Sequence, residues 1–157
     1  LNYIQEGVVV IRQTVATALL CLAALGVRAE VVNIDSAELA RLAASGVAVI
    51  DIRTAGEWKE TGVIAGSKLL TFFDEKGRVD RPAWLAKVKT VAKPDQPVIL
   101  ICRSGNRTRA ATQFLAQQAG YKTVYNVSGG IIAWGKEGRM MTPVSNALAG
   151  CAAGARC

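Results

Sequence analysis

From residue 31 onward, short apolar runs take turns with helix-patterned stretches, and glycine or proline stands at most of the boundaries. Val31–Ile34 reads as a strand, and Asp35 then caps a helix with Glu38 three residues later, as in a capping box. Leu39, Leu42 and Ala43 form its buried stripe, and Gly46 ends it. Val47–Ile52 is an apolar run broken only by Asp51, the look of a strand covered on both faces. Ala55–Thr61 fits a short helix stopped by Gly62, and Ser67–Thr71 another strand. The polar stretch Phe73–Arg81 leads to Pro82 at a first helical position, after which Trp84, Leu85, Val88 and Val91 recur at helical spacing. Pro94 and Pro97 bracket the strand Val98–Cys102. A helix over Thr108–Ala119 turns Ala111, Phe114 and Leu115 inward and stops at Gly120. Thr123–Val127 is a last strand, followed by Gly129-Gly130 and a short helix carrying Trp134. This alternation predicts one α/β domain with a mainly parallel sheet of about five strands. A chain of 157 residues is long enough to bury one such core.

The two ends depart from this pattern. After Arg12, Thr14–Val27 carries no charge and is rich in Ala and Leu, and it runs into Val27-Arg28-Ala29-Glu30. A base, an apolar run and small residues at minus three and minus one form the layout of a secretory signal peptide, which predicts cleavage after Ala29. Residues 1–29 are therefore expected to be removed, leaving a domain over 30–142 and an Ala/Gly-rich tail over 143–157. A retained anchor fits less well, because the run is short for a span of ~20 residues. Residues 1–11 contain Glu6 but no base, so a translation start within Val8–Val10 is expected. The mature protein is placed in the periplasm or secreted, with no membrane partner. Of its three cysteines, Cys151 and Cys157 lie in the tail, where they either close a small ring or are incidental to a frayed end. Cys102 lies in the folded region.

Composition narrows the chemistry further. Apolar residues make up 51% of the chain and charged residues 20%, which excludes a disordered protein. The sequence contains no histidine. Ser-His-Asp and Cys-His catalysis are thereby excluded, as is any metal site that needs imidazole, and neither metal nor cofactor is implied. After signal removal, 17 bases face 11 acids, a surplus that attracts anions. The bases are scattered and not interleaved with aromatics, so nucleic acid is not the expected partner. Lys87, Lys89 and Lys93 read as the solvated face of one helix, and a small anion suits the charge better.

In parallel α/β sheets ligands collect at the carboxyl ends of strands. Cys102, Arg103, Ser104, Gly105, Asn106 and Arg107 occupy that position after the strand expected to be central. A tight loop before a helix turns backbone N–H groups inward, and the helix dipole adds partial positive charge. Gly105 permits an unusual backbone angle, and Arg103 and Arg107 add permanent charges. A thiolate at the centre is stabilised by all of these. The bland alternative is a small buried cysteine with two surface arginines, but the helix dipole disfavours arginines at that end.

These segments resemble the rhodanese family of sulfurtransferases in its single-domain form. Cys102–Arg107 is similar to the family's six-residue active-site loop. Asp51-Ile52-Arg53 followed by Glu57-Trp58 is similar to its Asp-x-Arg…Glu-Tyr/Trp segment. Gly62–Ser67 resembles Gly-His-Ile-Pro-Gly-Ala without the His and the Pro, and Gly129-Gly130 with Trp134 resembles the closing Gly-Gly…Trp. The resemblance spans about residues 31–142 and implies a three-layer rhodanese-like sandwich. It also implies that Cys102 takes the outer sulfur of thiosulfate as a persulfide and passes it to cyanide or a thiol. Arg103 and Arg107, with Ser104, Gly105 and Asn106, would bind the anionic donor. Asp51, Arg53 and Glu57 would be structural, Arg53 by an ion pair with Glu57.

Three rivals remain open to test. A phosphatase or arsenate reductase is one, although tyrosine phosphatases place an Arg six positions after the cysteine, where this chain has Thr108, and Cdc25-type loops are one residue longer. A non-catalytic sulfur-carrier or binding module is the second, disfavoured by the intact loop. A disulfide-handling protein is the third, disfavoured by the absence of Cys-x-x-Cys.

Overall fold

The computed structural model describes residues 29–145. The expected signal segment, except Ala29, and both tail cysteines lie outside the described residues. In chain order the elements are β1 (Glu30–Ile34), α1 (Ser36–Ala44), β2 (Ala48–Asp51), α2 (Ala55–Thr61), β3 (Lys68–Leu69), α3 (Arg81–Val91), β4 (Val98–Ile101), α4 (Asn106–Gln118), β5 (Thr123–Val127) and α5 (Gly130–Lys136).

The five strands form one sheet in the order β1-β5-β4-β2-β3, and every pairing is parallel. β4 is central and all four of its residues are buried. Strand side chains alternate between faces, so Val98, Leu100 and Cys102 join one core with Trp84 and Val88 of α3 and Ala111, Phe114 and Leu115 of α4. Ile99 and Ile101 join the other, with Leu39 and Leu42 of α1 and Ile131 and Trp134 of α5. The result is the expected α/β/α sandwich. On the first face Phe72 meets Trp84 edge-on at 4.7 Å between ring centroids, and the Trp84 indole N–H donates to the Leu70 carbonyl.

The topology also creates a crevice. From β2 the chain moves outward through α2 to the edge strand β3, whereas from β4 it moves through α4 in the opposite direction to β5. Loops leaving neighbouring strands in opposite directions open a cleft at their carboxyl ends, the usual ligand position in such sheets.

Several local expectations need correction. Asp35 does cap α1 by accepting from the Glu38 N–H, but Glu38 turns its carboxylate to Arg41 at 2.8 and 2.5 Å. The two-sided box lies instead at Thr54 and Glu57, at the start of α2. Lys93 is not on α3, which ends at Val91 with extended backbone at Ala92. Pro94 disfavours helical backbone in the residue before it, so Lys93 could not have continued the helix. α4 begins at Asn106, two residues earlier than expected, with Gly105 as its N-cap in left-handed conformation and no side-chain cap. β3 shrinks to two residues, although the Leu70 and Phe72 N–H groups still donate to the Asp51 and Ile52 carbonyls. Among the described residues, no helix is long and apolar enough to cross a membrane.

Candidate active site

Cys102 follows the last residue of β4 and is 1% exposed. Its side chain continues the apolar face of that strand, yet one loop amide is aimed at it: the Gly105 N–H donates to Sγ at 3.2 Å. That geometry depends on Gly105 standing at φ +88°, a region in which a side chain is strained. A Cβ there would also collide with the Ser128 carbonyl oxygen. The buried Cys102 is thus the floor of a loop and more than a core residue.

Thr108, expected as a helix start and standing where a tyrosine phosphatase has its arginine, is a neighbour of the sulfur. It is fully buried, its hydroxyl donates to the Gly105 carbonyl at 2.9 Å, and its Oγ1 lies 3.6 Å from Sγ. A hydroxyl hydrogen can rotate between partners. While it faces Gly105, the Thr108 oxygen can accept from a thiol S–H; once that proton has gone, the hydroxyl can turn to the sulfur. The available signal was position: a Thr six residues past the cysteine falls in the first turn of α4, on the side facing the strand.

The charged groups sort differently from expectation. The Arg53–Glu57 ion pair does not form. Arg53 precedes the N-cap Thr54, so its side chain turns back to the strand end, where Nε and Nη2 donate to the Asp51 carboxylate at 2.6–3.0 Å. Its remaining N–H groups reach Thr61 Oγ1 at 2.6 Å and the Gly62 carbonyl at 2.8 Å. Asp51 and Arg53 are 0% and 1% exposed, so this pair ties β2 to the far end of α2.

Glu57 receives Arg107 instead. Nη1 and Nη2 donate to its two carboxylate oxygens at 2.7 and 2.5 Å, a bidentate fork across 50 residues of sequence. The pair links the segments that follow β2 and β4. Arg107 holds the Glu57 carboxyl down at about 2, helped by the Thr54 N–H and opposed by burial. Glu57 raises the Arg107 guanidinium above its usual value, and the Cys102 sulfur adds to that rise in smaller measure. A carboxyl lowered on folding contributes stability that is complete above the ordinary 4.5 and is lost only as pH falls toward about 2. The fork therefore stays ionised at every pH near neutrality.

Arg103, Ser104 and Asn106 are exposed at the loop mouth. The Arg103 side chain has no hydrogen-bond or ion-pair partner among the described residues, so its guanidinium is free for an incoming anion, whereas the Arg107 fork is occupied by Glu57. Among the described residues Cys102 is the free cysteine, and no cluster of His, Cys, Asp and Glu could hold a metal ion.

A family model described as a rhodanese-like domain matches residues 35–137. "Thiosulfate sulfurtransferase 18" of Arabidopsis thaliana is 34% identical over 109 residues, which cover 67% of this chain and 79% of that protein. A "Sulfurtransferase" of Allochromatium vinosum is 36% identical over 109 residues, covering 68% of this chain and 90% of its own length. Among solved structures, a rhodanese-related protein from Thermoplasma volcanium aligns with a TM-score of 0.54 at 29% identity, over 71% of this chain and 97% of that one. A Rhodopseudomonas palustris protein of unknown function, named as a possible tyrosine phosphatase, aligns with a TM-score of 0.51 over 90% of this chain and 98% of that one. At 22% identity it shares the fold alone.

Proposed function

The chain belongs to the rhodanese-like domain family, and from that premise we propose that it is a thiosulfate sulfurtransferase working through a Cys102 persulfide. Family membership and relatives named as sulfurtransferases indicate a sulfur donor and a sulfur acceptor in general terms. The observation that carries the finer reading is the Gly105 N–H on Sγ inside a loop of six residues. Such a loop holds a sulfur at its centre, and the position where a tyrosine phosphatase needs its arginine is filled by the buried Thr108.

The chemistry balances with two substrates. The Cys102 thiolate attacks the outer sulfur of thiosulfate, the S–S bond breaks, and sulfite leaves with the bonding pair. The terminal persulfide sulfur then lies where loop amides stabilise developing negative charge, as donors do in an oxyanion hole. Cyanide or a thiol attacks that sulfur, leaves as thiocyanate or a persulfide, and returns the thiolate. No imidazole is needed at any step.

The two arginines divide the work. Arg103 meets the dianion at the mouth, where a charge-assisted hydrogen bond contributes about 1.5–3 kcal/mol. Arg103→Ala should therefore raise the KM for thiosulfate with kcat largely kept. Arg107→Ala removes a cation that acts on the Cys102 sulfur and leaves Glu57 as an unpaired carboxylate, and should lower kcat. Steady-state kinetics with thiosulfate and cyanide separate the two; the same KM effect from both variants would refute the division.

The test of the reaction itself is intact-mass analysis after incubation with thiosulfate. A gain of one sulfur atom at Cys102 with release of sulfite is expected. Hydrolysis of an aryl phosphate without sulfur uptake would overturn it. On sequence grounds, residues 1–29 are proposed as a cleaved export signal, with the mature protein periplasmic or secreted. Amino-terminal sequencing of the exported protein should then begin at Glu30, and a chain retaining Arg12 would count against cleavage.

A further inference from the structure

We propose that the turn between β5 and α5 is a positioning device for the nucleophile's loop, and that Gly130 is the residue on which it depends. The proposal rests on the sulfurtransferase reading for its kinetic consequence, while its geometric basis is independent of it. The Ile131 N–H donates to the Cys102 carbonyl at 2.9 Å, and the Ile132 N–H donates to the Arg103 carbonyl at 3.2 Å. Both are first-turn amides of α5, which have no partner within their own helix.

The consequence follows from the planarity of the peptide unit. The Cys102 carbonyl and the Arg103 N–H belong to one rigid plane and point in opposite directions, as do the Arg103 carbonyl and the Ser104 N–H. Fixing the two carbonyls on α5 therefore fixes the direction of the next two loop amides, away from α5. The same turn supports the next amide from outside, since Gly105, which donates to Sγ, packs its α-carbon against the Ser128 carbonyl. Carbonyl oxygens carry partial negative charge and would oppose an anionic sulfur. Holding them on α5 keeps them out of the loop interior.

Backbone can approach backbone this closely only without a side chain. A Cβ on Gly130 would stand 2.5 Å from the Cys102 oxygen and from both the carbon and oxygen of the Arg103 carbonyl. Gly130 also has φ +57°, where other residues are strained. Gly135 lies in the same helix, and a Cβ there would meet nothing within 4 Å. The difference supplies an internal control.

Gly130 is thus a positioning residue that acts through the Cys102 and Arg103 carbonyls. The test compares Gly130→Ala, Ile132→Pro and Gly135→Ala with the wild-type protein. Ile132 is 40% exposed, and proline there removes its N–H and disfavours the helical backbone of Ile131 before it, so this variant loosens both bonds with little loss of side-chain packing. Three readouts are needed: kcat and KM for thiosulfate, the rate at which iodoacetamide alkylates Cys102, and the thermal midpoint. Gly130→Ala and Ile132→Pro should each lower kcat about tenfold or more, below the roughly 10²–10³ lost when a preorganised donor is removed outright, with KM little changed. Both should speed alkylation of the buried Cys102, and Gly135→Ala should match wild type. If Gly130→Ala does not fold, Ile132→Pro decides. A lower thermal midpoint with unchanged kcat and unchanged alkylation overturns the proposal. If wild-type protein takes up no sulfur, the sulfurtransferase reading fails, and the alkylation rates alone then support or overturn the positioning role.

Discussion

Cys102→Ser is expected to give a folded protein that takes no sulfur from thiosulfate and releases no sulfite. The exchange replaces one buried atom by a smaller one that can still accept from the Gly105 N–H, so the loop and the central strand keep their packing. A serine hydroxyl becomes a competent nucleophile only with an adjacent base, and this chain has no histidine to act as one. Intact mass after thiosulfate treatment should show the unmodified variant. Sulfite release at the wild-type rate would mean that another group carries the reaction. Matching circular dichroism spectra would show that the loss is chemical and not a failure to fold.

The largest stability effect is expected from Asp51→Asn. Arg53 is 1% exposed and three of its hydrogen bonds end on the Asp51 carboxylate. Neutralising that carboxylate leaves a buried guanidinium without its counter-charge, which costs about 3–5 kcal/mol. A domain of this size holds only about 5–15 kcal/mol in total. The urea midpoint should fall steeply, and much of the variant should be unfolded at moderate temperature. Replacing both partners by apolar residues, as in Asp51→Leu with Arg53→Met, removes the stranded charge and should recover part of the loss. A change below about 1 kcal/mol in the single variant would show that solvent already reaches the pair.

The alternation of strands and helices was legible because turn residues mark it: Gly46, Gly62, Pro94 and Gly120 stop elements by backbone chemistry that reads locally. The burial of β4 was equally legible from Val98-Ile-Leu-Ile, a run with no polar face. Partner choice was not. Arg53 and Glu57 are four apart, the spacing of neighbours on a helix, but Arg53 lies before the N-cap and its side chain leaves in another direction. Glu57 finds its cation 50 residues later, a distance no local pattern reports. The start of α4 was misplaced because Gly105 caps it by conformation, without the Ser, Thr, Asp or Asn that signals a helix start. The role of Gly130 comes from β4 and β5 lying side by side, which spacing along the chain does not encode.

That adjacency also governs when the molecule becomes competent. Glu57, Cys102 and Ile131 reach the crevice from three separate segments, after β2, after β4 and after β5. Contacts between such distant stretches pay their loop-closure entropy before they return any energy, so they form late and slowly. On the ribosome the cysteine is made well before the segment that pins its carbonyls. A nascent chain ending before Ile131 therefore holds a thiol whose loop carbonyls have no α5 amides to fix them.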